Sequence, residues 1–246
     1  MDKYYGMGLP IDVSVHGAKI DLLINIFHVI MVVLFVGWLI YFIFVLFKFR
    51  ARPGQKATYK QNHVKTTTYI EVIVALVEAA LLVGFSYPII SSYQNELPDK
   101  ANAVEVRIVA EQFAWNIHYP GADGVFGRTG PEFMEDNPIG LDPSDPEGLD
   151  DIQTINQLHI PVNRPVIAHL TSKDVIHSFS IPVMRVKQDT VPGQSTTIWF
   201  EGTQTGNFEI ACAQLCGLGH YRMKGYFAIE TQADYNTWLT ETLANG

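Results

Sequence analysis

Between Leu22 and Phe47 lie 26 consecutive residues without a charge. A helix needs about 20 apolar residues to cross the hydrocarbon of a bilayer, so this stretch predicts a spanning helix. A signal peptide would carry a shorter apolar region and a small-residue cleavage site, and no such site follows. A second run, over about residues 69–90, is also long enough to cross, although it holds Glu71 and Glu78. Ser86, Tyr87 and Pro88 mark its expected exit, with an aromatic at interface depth. The 18 positions from Lys48 to Lys65 carry Lys48, Arg50, Arg52, Lys56, Lys60 and Lys65 and no acid. Short loops this basic stay in the cytoplasm. That favours orientation over a nucleic-acid or anionic-lipid site, and places both termini on the periplasmic side of a bacterial inner membrane.

Charge divides along the same lines. The net −8 consists of −1 over residues 1–21, +6 in the loop, −2 in the second span and −11 over residues 91–246. An exported part this acidic is unsuited to gripping nucleic acid. Its texture is β. Residues 104–109, 158–160 and 166–171 alternate apolar and polar, and 195–200, 207–211 and 225–230 read as further short strands between turn residues. Residues 233–243 predict a closing amphipathic helix. The segment 121–151 breaks the rhythm, with four prolines, nine acids and Arg128 as its single base. It reads as a solvated acidic insertion, because it lacks the ligand spacing of a calcium loop. The expectation is a membrane α hairpin (residues 1–94, spans about 22–47 and 69–90) followed by an all-β domain (residues 95–246), a sandwich or Greek-key barrel.

The chemistry concentrates in Cys212-Ala-Gln-Leu-Cys216-Gly-Leu-Gly-His220-Tyr-Arg-Met223, which contains both cysteines of the chain. Thiolate, imidazole and thioether are the soft ligand set that suits copper, and His177 offers a second imidazole. A one-copper blue site uses one cysteine, two histidines and a weak methionine. The extra thiolate here allows two sulfurs to bridge two ions. The alternatives are a Cys212–Cys216 disulfide in a merely structural domain, or zinc, which would leave the methionine unused. His16, His28, His63, His118, His159 and His169 lack a ligand-like context and read as surface, interface or core residues.

With its Cys-x3-Cys-x3-His-x2-Met motif and upstream histidine, the chain resembles subunit II of the haem–copper cytochrome c oxidases, from the first span almost to the end. The resemblance implies a helical hairpin, then a cupredoxin-like Greek-key β-barrel holding the dinuclear CuA centre. Cys212 and Cys216 would bridge two coppers, His177 and His220 would each bind one, and Met223 and the backbone carbonyl of Gln214 would be weak ligands. Electrons would come from a cytochrome c-type donor and pass to haem in subunit I, where oxygen is reduced and protons are pumped. The chain has no Cys-x-x-Cys-His, so the donor is expected to be a separate protein. Oxidase subunit I, other oxidase subunits and membrane lipid are the remaining partners implied.

Further segments resemble the family. Asp174-Val-Ile-His177 is similar to the stretch around its first copper histidine. Asp189 matches an aspartate near a non-redox magnesium at the subunit I boundary. Gln112-Phe-Ala-Trp115 is similar to its aromatic segment beside the copper, and Glu71 to a glutamate at the mouth of a proton pathway. Two departures stand out. Gln214 replaces a glutamate whose carboxylate binds the magnesium. Phe113 replaces the tryptophan at which electrons arrive, leaving Trp115 as the nearby indole. A copper chaperone for oxidase assembly also pairs Cys-x3-Cys with a distant histidine, but on a thioredoxin-like α/β domain with one anchor.

Overall fold

The computed structural model describes residues 8–56, 65–94, 96–135 and 137–245. Lys60 and His63 lie outside them. The described residues fall into two units, one made of those within 19–92 and a β unit that joins those from 93 onward to residues 8–18.

In the first unit, α1 (Gly17–Lys48) and α2 (Lys65–Leu81) expose apolar side chains on every face, with Trp38, Phe42 and Phe47 all more than half exposed. A helix apolar all round is suited to lipid rather than to water. The second helix does not end at the expected exit. It widens into a π turn over Leu82–Ser86 and resumes as α3 (Tyr87–Gln94). Pro88 supplies the reason: it has no N–H and its ring crowds the carbonyl four residues back, so the helix loosens instead of stopping. Tyr87 N–H accordingly bonds the carbonyl of Leu82, five residues earlier.

The β unit holds β1 (Val104–Glu111), β2 (Ala114–Tyr119), β3 (Ile152–Ile155), β4 (Gln157–Pro161), β5 (Pro165–Ser172), β6 (His177–Ile181), β7 (Val186–Thr190), β8 (Thr196–Glu201), β9 (Gly206–Cys212) and β10 (Lys224–Glu230), then α4 (Gln232–Asn245). They form two five-stranded sheets, ordered β3-β2-β1-β5-β8 and β4-β10-β9-β6-β7. Most pairs are antiparallel, but β1 runs parallel to β5 and β10 parallel to β4. This is the cupredoxin-like two-sheet barrel, and it excludes a thioredoxin-like α/β domain. Val106, Ile108, Leu158, Phe179, Phe200, Ile210 and Phe227 fill the space between the sheets, each with no exposed surface. Each fully buried side chain of this size contributes about 1.5–3 kcal/mol.

Two features were not legible from alternation. The acidic insertion is built on its own carboxylates. Asp150 accepts Ala122 N–H at 2.6 Å, Asp145 accepts Arg128 N–H at 2.6 Å, and Asp142 takes the Ser144 hydroxyl and the Arg128 guanidinium. Several of its acids are therefore occupied by backbone donors rather than free in solvent. The second feature is an N-terminal strap. Val13, fully buried, donates to Val183 O at 3.0 Å and accepts from Thr203 N–H at 2.8 Å, while Val15 donates to Glu201 O at 3.2 Å. Arg185 donates to the carbonyls of Pro10 and Ile11 at 2.7 and 3.2 Å.

Candidate metal centre

All the candidate ligands stand at one end of the second sheet. His177 opens β6, Cys212 closes β9, Met223 immediately precedes β10, and the loop from β9 to β10 carries Gln214, Cys216 and His220. β6 and β9 are paired through Phe179↔Cys212, which sets His177 close to the first cysteine although 35 residues separate them in sequence.

Donor atoms converge there. The sulfurs of Cys212 and Cys216 lie 3.7 Å apart, well beyond the roughly 2.05 Å of a disulfide, and both thiols are free. His177 offers one ring nitrogen within 4.8 Å of both sulfurs. Its Nδ1 stands 3.2 Å from Met223 Sδ, and that thioether lies 3.7 Å from Cys216 Sγ. The Nδ1 of His220 approaches Cys216 Sγ at 3.6 Å, and the Gln214 carbonyl lies 3.1 Å from Cys212 Sγ. His177, Cys216 and Met223 are buried, while Cys212 and His220 are part-exposed.

The surroundings fit a soft metal. His177 Nε2 bonds Asp174 Oδ1 at 2.9 Å, which fixes the ring and turns Nδ1 toward the sulfurs. Burial by itself would raise the Asp174 carboxyl. Bonds from His177 and from the N–H groups of Val175 and Gln112 outweigh it and hold the group below the ordinary carboxylate value. Burial, together with the adjacent Cys212 thiol, pushes the Cys216 thiol up to about 11. Two thiols and the His177 nitrogen lie mutually close, with the Met223 thioether and the His220 imidazole each against Cys216; these groups satisfy one another poorly, and a thiophilic cation would suit them all.

Other expected site residues are placed differently. Trp115 is fully buried, edge-on to His177 at 6.2 Å between ring centroids and to Phe179 at 5.4 Å. Phe113, part-exposed, packs against the ligand loop, so of the two aromatics it is the one at the surface. Asp189 is exposed on β7 opposite Ser178, outside the ligand cluster, and the Gln214 side chain is exposed as well. Glu71 lies six residues beyond Lys65, past the first turn of α2, where helix-dipole stabilisation has faded. Among the remaining histidines, His118 bonds Asp151, His159 stacks on Trp238, His169 bonds Thr197, and His16 meets Trp199 edge-on. Asp174 and Gln112 were not singled out from sequence. The Asp-x-x-His spacing at the start of a strand was the available sign for Asp174.

Comparison with known proteins gives a consistent neighbourhood. A family profile described as cytochrome c oxidase subunit II, periplasmic domain, matches residues 104–230. The alternative cytochrome c oxidase subunit 2 of Bradyrhizobium diazoefficiens is 33% identical over 231 residues, covering 93% of this chain and 82% of its own length. The cytochrome c oxidase subunit 2 of Cereibacter sphaeroides is 31% identical over 182 residues, covering 69% of this chain but 58% of its own length. Among solved structures, the periplasmic domain of subunit II of the Bradyrhizobium japonicum cytochrome oxidase aligns with a TM-score of 0.45 at 24% identity. That alignment covers 61% of this chain and 99% of the other.

Proposed function

The chain belongs to the cytochrome c oxidase subunit II family, and from that premise we propose that it is the electron-accepting subunit of a terminal oxidase, with a dinuclear copper centre at the end of the second sheet. A copper pair bridged by two thiolates, when bound, carries one electron at a time with little rearrangement. This chain's residues would hold it as follows. Cys212 and Cys216 would hold the pair through their thiolates; Met223 and His177 Nδ1, already 3.2 Å apart, would supply ligands together, as would His220 and the Gln214 carbonyl. Asp174 orients His177, and the buried Trp115, itself packed on Phe179, keeps water from that imidazole.

The observation that carries this reading is the convergence of two unbonded thiols with a buried, carboxylate-oriented imidazole and a thioether. Metal analysis and EPR of the full chain in detergent test it. Two coppers per chain with a multi-line mixed-valence spectrum are expected. A chain without copper, its cysteines joined to each other, would overturn the reading.

The donor, in this reading, is a separate cytochrome c-type protein, and the acceptor is haem in subunit I, where oxygen reduction and proton pumping occur. The −11 charge of residues 91–246 would steer a basic donor, so electron-transfer rates should fall as salt is added. Phe113 is the surface aromatic on the donor side. Glu71 is proposed at the proton-pathway mouth, since an ionisable residue inside a span is otherwise costly. Gln214 brings no carboxylate toward a magnesium ion near Asp189, so that ion should bind weakly. Orientation is supported by the strap. Residues 13–15 hydrogen-bond to the β unit, so the chain leaves that unit into α1 and returns to it after α3. Both helical segments then cross the membrane, with the N-terminus and the β unit on the periplasmic side and the basic loop in the cytoplasm.

A further inference from the structure

Every candidate ligand is carried by the second sheet or its loop, yet the bracing comes from the first. The β1–β2 turn, Gln112–Phe113, joins two strands of the first sheet and reaches both ligand-bearing segments. Gln112 Nε2 donates to the carbonyl of Cys216 at 2.6 Å. The backbone N–H of the same residue donates to Asp174 Oδ2 at 2.7 Å, and the other oxygen of that carboxylate holds His177 Nε2 at 2.9 Å. Phe113 closes the contact. Its ring lies against Gly217 and Gly219 of the ligand loop, where an added Cβ would collide with Gln112 or Phe113, and the Arg222 guanidinium stands 6.0 Å from its centroid. The two hydrogen bonds of Gln112 span 62 and 104 positions of sequence, so one residue ties together segments that nothing local would hold in register.

We propose that Gln112 is a positioning residue for the metal pair. Through its side chain it fixes the Cys216 end of the ligand loop, and through its backbone it fixes the carboxylate that aims His177. The sulfur and the imidazole are thereby set relative to each other before a metal arrives. The proposal rests on the copper reading for its spectroscopic test alone.

The full chain in detergent, metal-free and copper-loaded, provides the test. Gln112→Met keeps the side-chain length and removes the donor. Copper-loaded Q112M should hold as much copper as the unaltered chain, with a changed EPR hyperfine pattern and a shifted reduction potential. In the metal-free state its Cys216 should be alkylated roughly fivefold faster, the factor that loss of one ordinary hydrogen bond gives. Gln112→Asn, still polar but one methylene too short for the Cys216 carbonyl, should behave as Q112M does, and it carries the comparison should Q112M fail to fold. Unaltered hyperfine pattern, potential and alkylation rate would overturn the proposal. Should the unaltered chain take up no copper, that failure belongs to the copper reading, and the metal-free alkylation rates still decide the role of Gln112.

Discussion

The β unit contains the same chemical device twice. His177 is fully buried and bonded to Asp174 at 2.9 Å; His118 is fully buried and bonded to Asp151 at 2.6 Å. In each, the carboxylate takes Nε2 and leaves Nδ1 to face the interior. At His177 that nitrogen meets a thioether at 3.2 Å and lies near two thiols. At His118 it finds no hydrogen-bond partner among the described residues, and the ring sits edge-on to Phe126 at 4.9 Å under the acidic insertion. On the copper reading, an imidazole held by a carboxylate is a ligand only where its second nitrogen faces other soft donors. Asp151 also accepts the N–H groups of Gly121 and Gly127, so its pair pins the insertion onto β2. Asp174 is tied instead to the turn that braces the ligand loop.

Substitution can separate the two roles. The largest effect is expected from His177→Gln, which should reduce the mixed-valence EPR signal and electron transfer from cytochrome c to background. His118→Gln should leave copper content and spectrum unaltered; a disturbed spectrum in that variant would break the distinction. Next come the carboxylates. Asp174→Asn should weaken copper affinity about 10–100-fold, the usual consequence of losing the partner that orients a metal-bound histidine. Asp151→Ala should keep that affinity in a competition titration but lower stability by about 3 kcal/mol, because it strands buried donors. Met223→Leu should retain both coppers and raise the reduction potential, since removing an electron-donating thioether disfavours the oxidised state more than the reduced one; potentiometry checks it. The smallest difference lies between the two cysteines. In the metal-free chain at neutral pH, mass spectrometry should find the more open Cys212 alkylated before Cys216, which is buried and whose thiol is pushed up to about 11.

The same pair explains which parts of the structure could be read in the sequence. β1, β4, β5, β8, β9 and β10 correspond to predicted strands, whose apolar residues mark a core face. β2 escaped because five of its six residues are buried, among them the polar Asn116 and His118, which erases the alternation. β6 escaped for a similar reason, with His177 and Ser178 buried beside Phe179, and the polar VKQDT of β7 has little apolar pattern to find. The candidate ligands were legible because four soft side-chain donors fall within 12 residues of sequence. Gln112 was not. A glutamine in a turn has no distinguishing chemistry until folding brings it to a carbonyl 104 positions away. The strap was hidden for the same reason: three short residues before a long apolar run say nothing about Val183 or Thr203.

That strap also sets an order of events during synthesis. Pro10 and Ile11 leave the ribosome well before the arginine that binds them, which follows 175 and 174 positions later. Their carbonyls must therefore wait for this partner while both apolar helices and β1 to β6 are made. Closing so long a loop is slow compared with forming local hairpins. The β unit thus gains its N-terminal strap only after the whole stretch between the two partners has been made.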